Sequence, residues 1–176
     1  MNRLDPVTRS AGRAEPRPRS VGSRATIGRT LRAYVALTHP LPIAIVLAAT
    51  AAFAVLFAGG MPPLHLGVPL MLAMLGGQLA IGALNELVDV ELDAATKPWK
   101  PIPSGAVSRR GAATVLVGGL ATMVLFGTSL GGAALLLLAL GTGLGLAYDL
   151  WLKRTPWSWL PYVLALPLLP VWVRTA

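Results

Sequence analysis

The sequence contains no cysteine, and it has few charged residues. Only 12% of its 176 residues are Asp, Glu, Lys or Arg, whereas an ordinary soluble domain carries about 25%. The lack of cysteine excludes a disulfide-stapled secreted module and a zinc site built on cysteine ligands. The scarcity of charge, together with 55% hydrophobic residues, excludes a soluble globular domain.

Charged residues are absent from three long stretches of the chain. These stretches cover residues 33–85, 111–148 and 155–173, and they are 53, 38 and 19 residues long. A helix needs about 20 apolar residues to cross a bilayer. Divided at their glycine- and proline-rich turns, the stretches predict an all-α, polytopic bundle of five transmembrane helices. We expect these helices over residues 34–58, 65–88, 111–127, 133–150 and 157–173.

The N-terminal segment concentrates the positive charge of the protein. Eight of the 15 basic residues lie within the first 32 positions. Because this segment has few large apolar residues, we expect residues 1–32 to form a disordered basic arm and residues 33–176 to form the membrane domain. The net charge of +8 raises nucleic acid as a partner. A basic arm beside a span is more typical of a topology signal that contacts lipid headgroups, so we expect membrane lipid and no nucleic acid.

The basic residues also predict the orientation of the bundle. With the N-terminus in the cytoplasm, the five helices place 14 of the 15 basic residues on the cytoplasmic side, and only Arg174 on the other. This distribution satisfies the positive-inside rule. We therefore expect an integral membrane protein, in the plasma membrane if its source is a bacterium, with its N-terminus and charged loops in the cytoplasm.

A cluster of acidic side chains and one asparagine spans the end of the second predicted helix. Asn85, Asp89 and Asp93 are spaced by four residues, which places them on one stripe of a helix, and Glu86 lies beside that stripe. Carboxylates this close together repel one another, and they are costly near hydrocarbon. A divalent cation relieves both problems, and Mg²⁺ characteristically binds carboxylates together with substrate phosphates. The four residues therefore predict a magnesium site, the alternative being a solvated helix end with ordinary loop charges.

Two lysines follow the acidic cluster within a short distance. Lys97 and Lys100 are suited to bind the phosphates of a diphosphate as point charges.

Residues 85–105 resemble the first aspartate-rich motif of the UbiA-type membrane prenyltransferases. That motif reads roughly N-D-x-x-D-x-x-x-D, followed by a basic residue and P-I-P-S-G. Asn85, Asp89 and Asp93 match it in register, and residues 100–105 read K-P-I-P-S-G, with Lys where Arg is commonest. Glu86 stands where Asp is usual, which keeps the charge but lengthens the side chain.

A second resemblance lies at the end of the fourth predicted helix, where the family has a tyrosine and a lysine. It implies that Lys153 contacts the diphosphate and that Tyr148 belongs to the substrate pocket. Asp149 matches no family role, and we interpret it as a salt-bridge partner of Lys153 or Arg154. His39 is either a helix-entry residue or a cavity-lining one.

The resemblance implies a fold of about nine spans around a central cavity. It also implies a Mg²⁺-dependent transfer of a prenyl group from a prenyl diphosphate to an aromatic or lipid acceptor. Under it, Asp89, Asp93 and Lys153 are catalytic, and Asn85, Glu86, Asp89 and Asp93 bind the metal. The substrate-binding residues would be Lys97, Lys100, Ser104, Tyr148 and Lys153.

The sequence departs from the family in two respects. It has no candidate for the family's second aspartate-rich motif, and it ends after five of about nine spans. We expect a truncated transferase with weak activity or none on its own. The alternatives are half of a split enzyme, completed by a second chain that supplies the missing aspartates, and a non-catalytic lipid- or diphosphate-binding subunit. A cation transporter is disfavoured, because the acidic residues gather at one mouth and every span lacks charge at its middle.

Overall fold

The computed structural model describes residues 23–176, and all regular structure in that part of the chain is helical. This confirms the predicted all-α class. A single 3-10 turn, Leu152–Arg154, separates the last two of seven helices. The helices are α1 (Ser23–Leu37), α2 (Pro40–Ala58), α3 (Leu64–Val88), α4 (Val90–Thr96), α5 (Arg109–Thr128), α6 (Gly132–Leu150) and α7 (Leu160–Thr175).

Four of these helices, α2, α3, α5 and α6, are long and apolar enough to cross a membrane. The fifth predicted span corresponds to α7, which is apolar but has only 16 residues. Pro167 and Pro170 lie inside α7, and each removes a backbone donor from the helical ladder.

Local turn chemistry sets several of the helix ends. Gly59 ends α2 in the left-handed region at φ 65°, a conformation that costs glycine little because it has no Cβ. The side chain of Ser108 accepts a hydrogen bond from the Gly111 amide at 3.0 Å and so caps the start of α5.

The first predicted helix is wrong in one respect. The structure divides it into α1 and α2, with Thr38 and His39 between them. His39 adopts φ 55° and ψ 71°, which interrupts the helix between α1 and α2. The helix α1 extends back to Ser23, so residues 23–32 are helical and differ from the disordered arm that we expected. The rest of that arm, residues 1–22, lies outside the described residues.

The helix α3 lies at the centre of the bundle and packs against α2, α5 and α6. Its closest partner is α5, and the two backbones approach each other at Gly76 and Gly119. The chain alternates direction from span to span, so the C-terminus of α3, the N-terminus of α5 and the C-terminus of α6 meet at one end. That end carries the charged loops, and we call it the charged end.

Candidate functional site

The acidic segment of the charged end is a bend between two helices. Asp89 ends α3 and precedes α4, with φ −90° and ψ 3°. Backbone hydrogen bonds continue across the bend, from the Asp89 amide to the Asn85 carbonyl and from the Asp93 amide to the Asp89 carbonyl. The helical backbone hydrogen bonds therefore continue through the residues of the predicted stripe, but the backbone bends at Asp89.

Lys100 joins two buried carboxylates on one side of this bend. Its Nζ lies 2.6 Å from Glu86 Oε1 and 2.7 Å from Asp93 Oδ2, and the loop after α4 carries it back over the end of α3. His39 Nε2 also lies 3.1 Å from Glu86 Oε1. Glu86 and Asp93 are almost completely buried, so Lys100 compensates charges that would otherwise be very costly.

Lys153 forms the corresponding contacts on the other side of the bend. Its Nζ donates hydrogen bonds to Asp89 Oδ2 at 2.8 Å and to Asn85 Oδ1 at 3.1 Å. Arg154 donates to Asp89 Oδ1 at 3.0 Å. The turn after α6 thus brings the two basic side chains into contact with Asn85 and Asp89, which lie more than sixty positions earlier in the chain.

These contacts shift two pKa values outside the spans. Burial opposes ionisation of Asp89, but the hydrogen bond and charge of Lys153, with those of Arg154, outweigh it and hold the pKa of Asp89 below its ordinary value. Burial likewise disfavours the charged form of Lys100, yet Asp93 and Glu86 raise the pKa of Lys100 above its ordinary value. Asp89 and Lys100 are therefore both charged at neutral pH.

The remaining predicted substrate-binding residues of the loop are more peripheral. Lys97 is 53% exposed, and its Nζ lies 3.5 Å from Asp93 Oδ1. The hydroxyl of Ser104 donates to the Lys100 carbonyl at 2.7 Å, so Ser104 closes the turn that holds Lys100.

An apolar cavity of about 450 Å³ opens beside these ion pairs. It lies between α2, α3, α6 and α7, and residues such as Ile43, Met74, Leu138, Leu169 and Trp172 form its apolar wall. Polar residues line it at the charged end, among them His39, Asn85, Tyr148 and Asp149. The cavity is therefore mainly apolar, with a polar end and with Gln78 and Thr142 as polar residues further inside.

Asp149 is a buried carboxylate at that polar end. It is almost completely buried, and its Oδ1 lies 3.7 Å from Lys153 Nζ, in agreement with the predicted salt bridge. Its Oδ2 has no hydrogen-bond partner among the described residues. Tyr148 also lines the cavity, and its ring packs edge-to-face against Tyr162 at 5.1 Å.

The four predicted metal ligands do not meet at one point. Glu86 and Asp93 share Lys100, whereas Asn85 and Asp89 share Lys153. Within residues 23–176, no three His, Cys, Asp or Glu side chains form a group that could hold a metal ion. The carboxylates thus lie in two lysine-paired sets.

The structure gives His39 and Arg154 a larger part in the site than the sequence predicted. His39 lines the cavity and contacts Glu86, and Gly82 makes this possible because a Cβ there would lie 2.7 Å from the Thr38 carbonyl oxygen. Arg154 binds Asp89 rather than Asp149. In the sequence, His39 is marked only by its place before a proline in an uncharged stretch. Arg154 is marked only by its place directly after Lys153.

The fold and the site together define a helical membrane protein with an acidic and basic cluster at the mouth of an apolar cavity. The model of the UbiA prenyltransferase family matches residues 45–176, and the chain belongs to this family.

The chain is similar to proteins of two names, among others. The protoheme IX farnesyltransferase of Salinispora tropica is 37% identical over 149 residues, which are 77% of this chain and 44% of that protein. The protein of the same name from Cutibacterium acnes is 32% identical over 161 residues, 89% of this chain and 46% of its own length. The digeranylgeranylglyceryl phosphate synthase of Korarchaeum cryptofilum is 37% identical over 81 residues, 44% of this chain and 27% of that protein.

The chain spans less than half the length of these curated relatives. No solved structure gives a significant match to it.

Proposed function

We propose that this chain binds a prenyl diphosphate and contributes to the transfer of its prenyl group to an aromatic or lipid acceptor. The supporting observation is the pairing of an apolar cavity with lysines and carboxylates at its mouth. A prenyl diphosphate has the same two parts, an apolar tail and a highly charged head. The names of the relatives suggest a farnesyl or geranylgeranyl donor.

The basic residues of the mouth would act on the leaving group. In prenyl transfer the bond between the allylic carbon and the diphosphate oxygen breaks, and the acceptor forms a new bond to that carbon and loses a proton, which the departing diphosphate can accept. Lys100, Lys153 and Arg154 would stabilise the negative charge that develops on the departing diphosphate. Lys97, at the exposed edge of the loop, would help to attract the head group.

The apolar wall would act on the other end of the substrate. Ile43, Met74 and Leu138 would hold the tail, and the wall would keep water away from the carbocation that develops at the allylic carbon. Tyr148 lines the wall close to the polar end and would contact the substrate near that carbon.

Mg²⁺ is the cofactor that we propose for this site. Asn85, Glu86, Asp89 and Asp93 offer the hard oxygen donors that the ion prefers, and Mg²⁺ needs only one or two carboxylates when phosphate oxygens complete its coordination. The lack of a ready-made group of three ligands among the described residues therefore fits a metal that is bound together with the substrate. When bound, it would neutralise the diphosphate as a Lewis acid.

The test is the binding of farnesyl diphosphate to the full chain in lipid nanodiscs, measured by calorimetry with and without MgCl₂. We expect Asp89→Ala and Asp93→Ala each to weaken the Mg²⁺-dependent binding about tenfold or more, because each removes a charged ligand from a partly dehydrated site. Lys153→Met should weaken binding under both conditions.

Glu91→Ala is the matched control, because Glu91 lies between the two aspartates but is 88% exposed and pairs only with Arg109 among the described residues. It should bind like the unaltered chain. Unchanged Mg²⁺-dependent affinity in both aspartate variants would refute the proposal, provided that circular dichroism shows the variants to be folded.

A further inference from the structure

The helix α1 carries a narrow apolar stripe that no other described element covers. Ile27, Leu31 and Val35 follow one another at intervals of four residues, which places them on one side of the helix. Their side chains are 63%, 64% and 49% exposed. Such a stripe is typical of a helix that lies against an apolar medium.

A second side of α1 faces the protein. Leu37 is completely buried in a hydrophobic cluster with Ala83 and Ala112, and Tyr34 packs against the same cluster. The Tyr34 hydroxyl also lies against Gly111, in the first turn of α5. Because Ala83 and Ala112 lie within two turns of the charged ends of their helices, this contact holds the last turn of α1 near the charged end of the bundle.

A third side of α1 is basic. Arg29 and Arg32 are exposed, and at about 100° per residue they lie between the apolar stripe and the side that contacts the protein. The order around the helix is therefore protein contact, apolar stripe and basic side. A helix with this order lies in the membrane surface, with its apolar side towards the acyl chains and its basic side towards the headgroups.

We propose that α1 is an interfacial helix that binds anionic phospholipids. The apolar stripe enters the boundary between acyl chains and headgroups, and Arg29 and Arg32 bind the phosphates of anionic lipids. Charge complementarity favours lipid as the occupant, because the net charge of the protein is +8 and juxtamembrane basic residues are attracted to anionic leaflets. A second copy of the chain would bring like charges together beside the stripe. The proposal does not depend on catalysis.

The first experiment measures the depth of two sides of α1. Since the chain has no cysteine, Leu31→Cys and Ala36→Cys each provide a single site for an environment-sensitive fluorophore. Both positions are exposed, but they differ by about 140° around the helix. In vesicles of phosphatidylcholine and phosphatidylglycerol, we expect lipids with brominated acyl chains to quench the label at position 31 and not the label at position 36.

The second experiment measures the lipid preference. Spin-labelled phosphatidylglycerol and phosphatidylcholine are compared for their association with the full chain in the same vesicles. We expect Arg29→Glu combined with Arg32→Glu to lower the preference for phosphatidylglycerol roughly tenfold or more at low salt, since each basic residue near an anionic surface contributes appreciably. High salt should reduce the difference. Arg174→Glu, at the opposite end of the bundle, is the control and should leave the preference unchanged.

Three outcomes would overturn the proposal. Equal quenching at positions 31 and 36 would show that α1 is not oriented by its stripe. A label at position 31 that is shielded but unaffected by brominated lipid would show that protein covers the stripe, either a second copy or residues 1–22. An unchanged preference for phosphatidylglycerol in the double variant would exclude the two arginines as the lipid-binding groups.

Discussion

Lys100 compensates more buried charge than any other basic residue that the structure describes. It lies between Glu86 and Asp93, which are both almost completely buried. Removal of one partner from a buried ion pair leaves an uncompensated charge, and this is far more costly than the net value of the pair itself. The residue proposed to bind phosphate therefore also holds the end of α3 to the loop that follows α4.

We expect Lys100→Met to lower the free energy of unfolding by about 3 kcal/mol at neutral pH. The pKa of Lys100 is raised in the folded chain, so the difference between the variant and the unaltered chain should persist at neutral pH and shrink as the pH rises through that pKa. Denaturant-induced unfolding in mixed micelles, followed by circular dichroism at two pH values, measures both effects.

Lys97→Met is the matched control for this substitution. Lys97 belongs to the same loop and also pairs with Asp93, but it is 53% exposed and its Nζ is 3.5 Å away. It should cost less than about 1 kcal/mol, as exposed ion pairs do. Equal losses in the two variants would contradict the role assigned to Lys100.

At the scale of elements, the bundle depends on the close approach of α3 and α5. A Cβ on Gly76 would lie 2.5 Å from the Met123 nitrogen and 2.6 Å from the Gly119 carbonyl oxygen. Both atoms belong to the backbone and cannot move aside as a side chain would. In lipid, where apolar side chains gain little from meeting one another, such small residues allow the van der Waals contact that holds helices together.

We expect Gly76→Ala to destabilise the bundle by roughly 2 kcal/mol relative to Gly118→Ala, because it overpacks the contact between the two helices. A Cβ on Gly118 would meet no neighbouring atom within 4 Å, and both substitutions bring the same gain in helix propensity. The difference between the two therefore isolates the packing effect, and unfolding in SDS measures it. Equal stabilities would show that α3 and α5 are further apart than described.

The elements themselves were largely predictable from the sequence. The second, third and fourth predicted helices differ from α3, α5 and α6 by no more than two residues at either end, because glycine, proline and charge set helix ends locally. His39 was predicted as a helix-entry residue and is the N-cap residue of α2. The separate helix before it was not predicted, since the break depends on the space that Gly82 leaves for the backbone at Thr38. The division of the acidic residues into two lysine-paired sets was likewise hidden, because Lys153 reaches Asp89 only through the fold.

At the scale of the whole molecule, the two ends of the bundle differ sharply in charge. The turn after α2 and the turn after α5 carry no charged residue, whereas the loops at the other end hold the site and its basic residues. The positive-inside rule associates the basic end with the cytoplasm. Under the proposed function, this orientation would present the mouth of the cavity to a diphosphate substrate made in the cytoplasm.

The orientation can be tested with single cysteines at the two ends. Ala106→Cys lies in the loop between α4 and α5, Ser129→Cys lies in the turn between α5 and α6, and both positions are exposed. In intact bacterial cells whose outer layer admits small reagents, we expect a membrane-impermeant maleimide to label position 129 and not position 106. Permeabilised cells should show labelling at both, which controls for reactivity. Labelling of position 106 alone in intact cells would show that the bundle has the opposite orientation. The lysines and carboxylates of the site would then lie on the side opposite to the one that the charge distribution predicts.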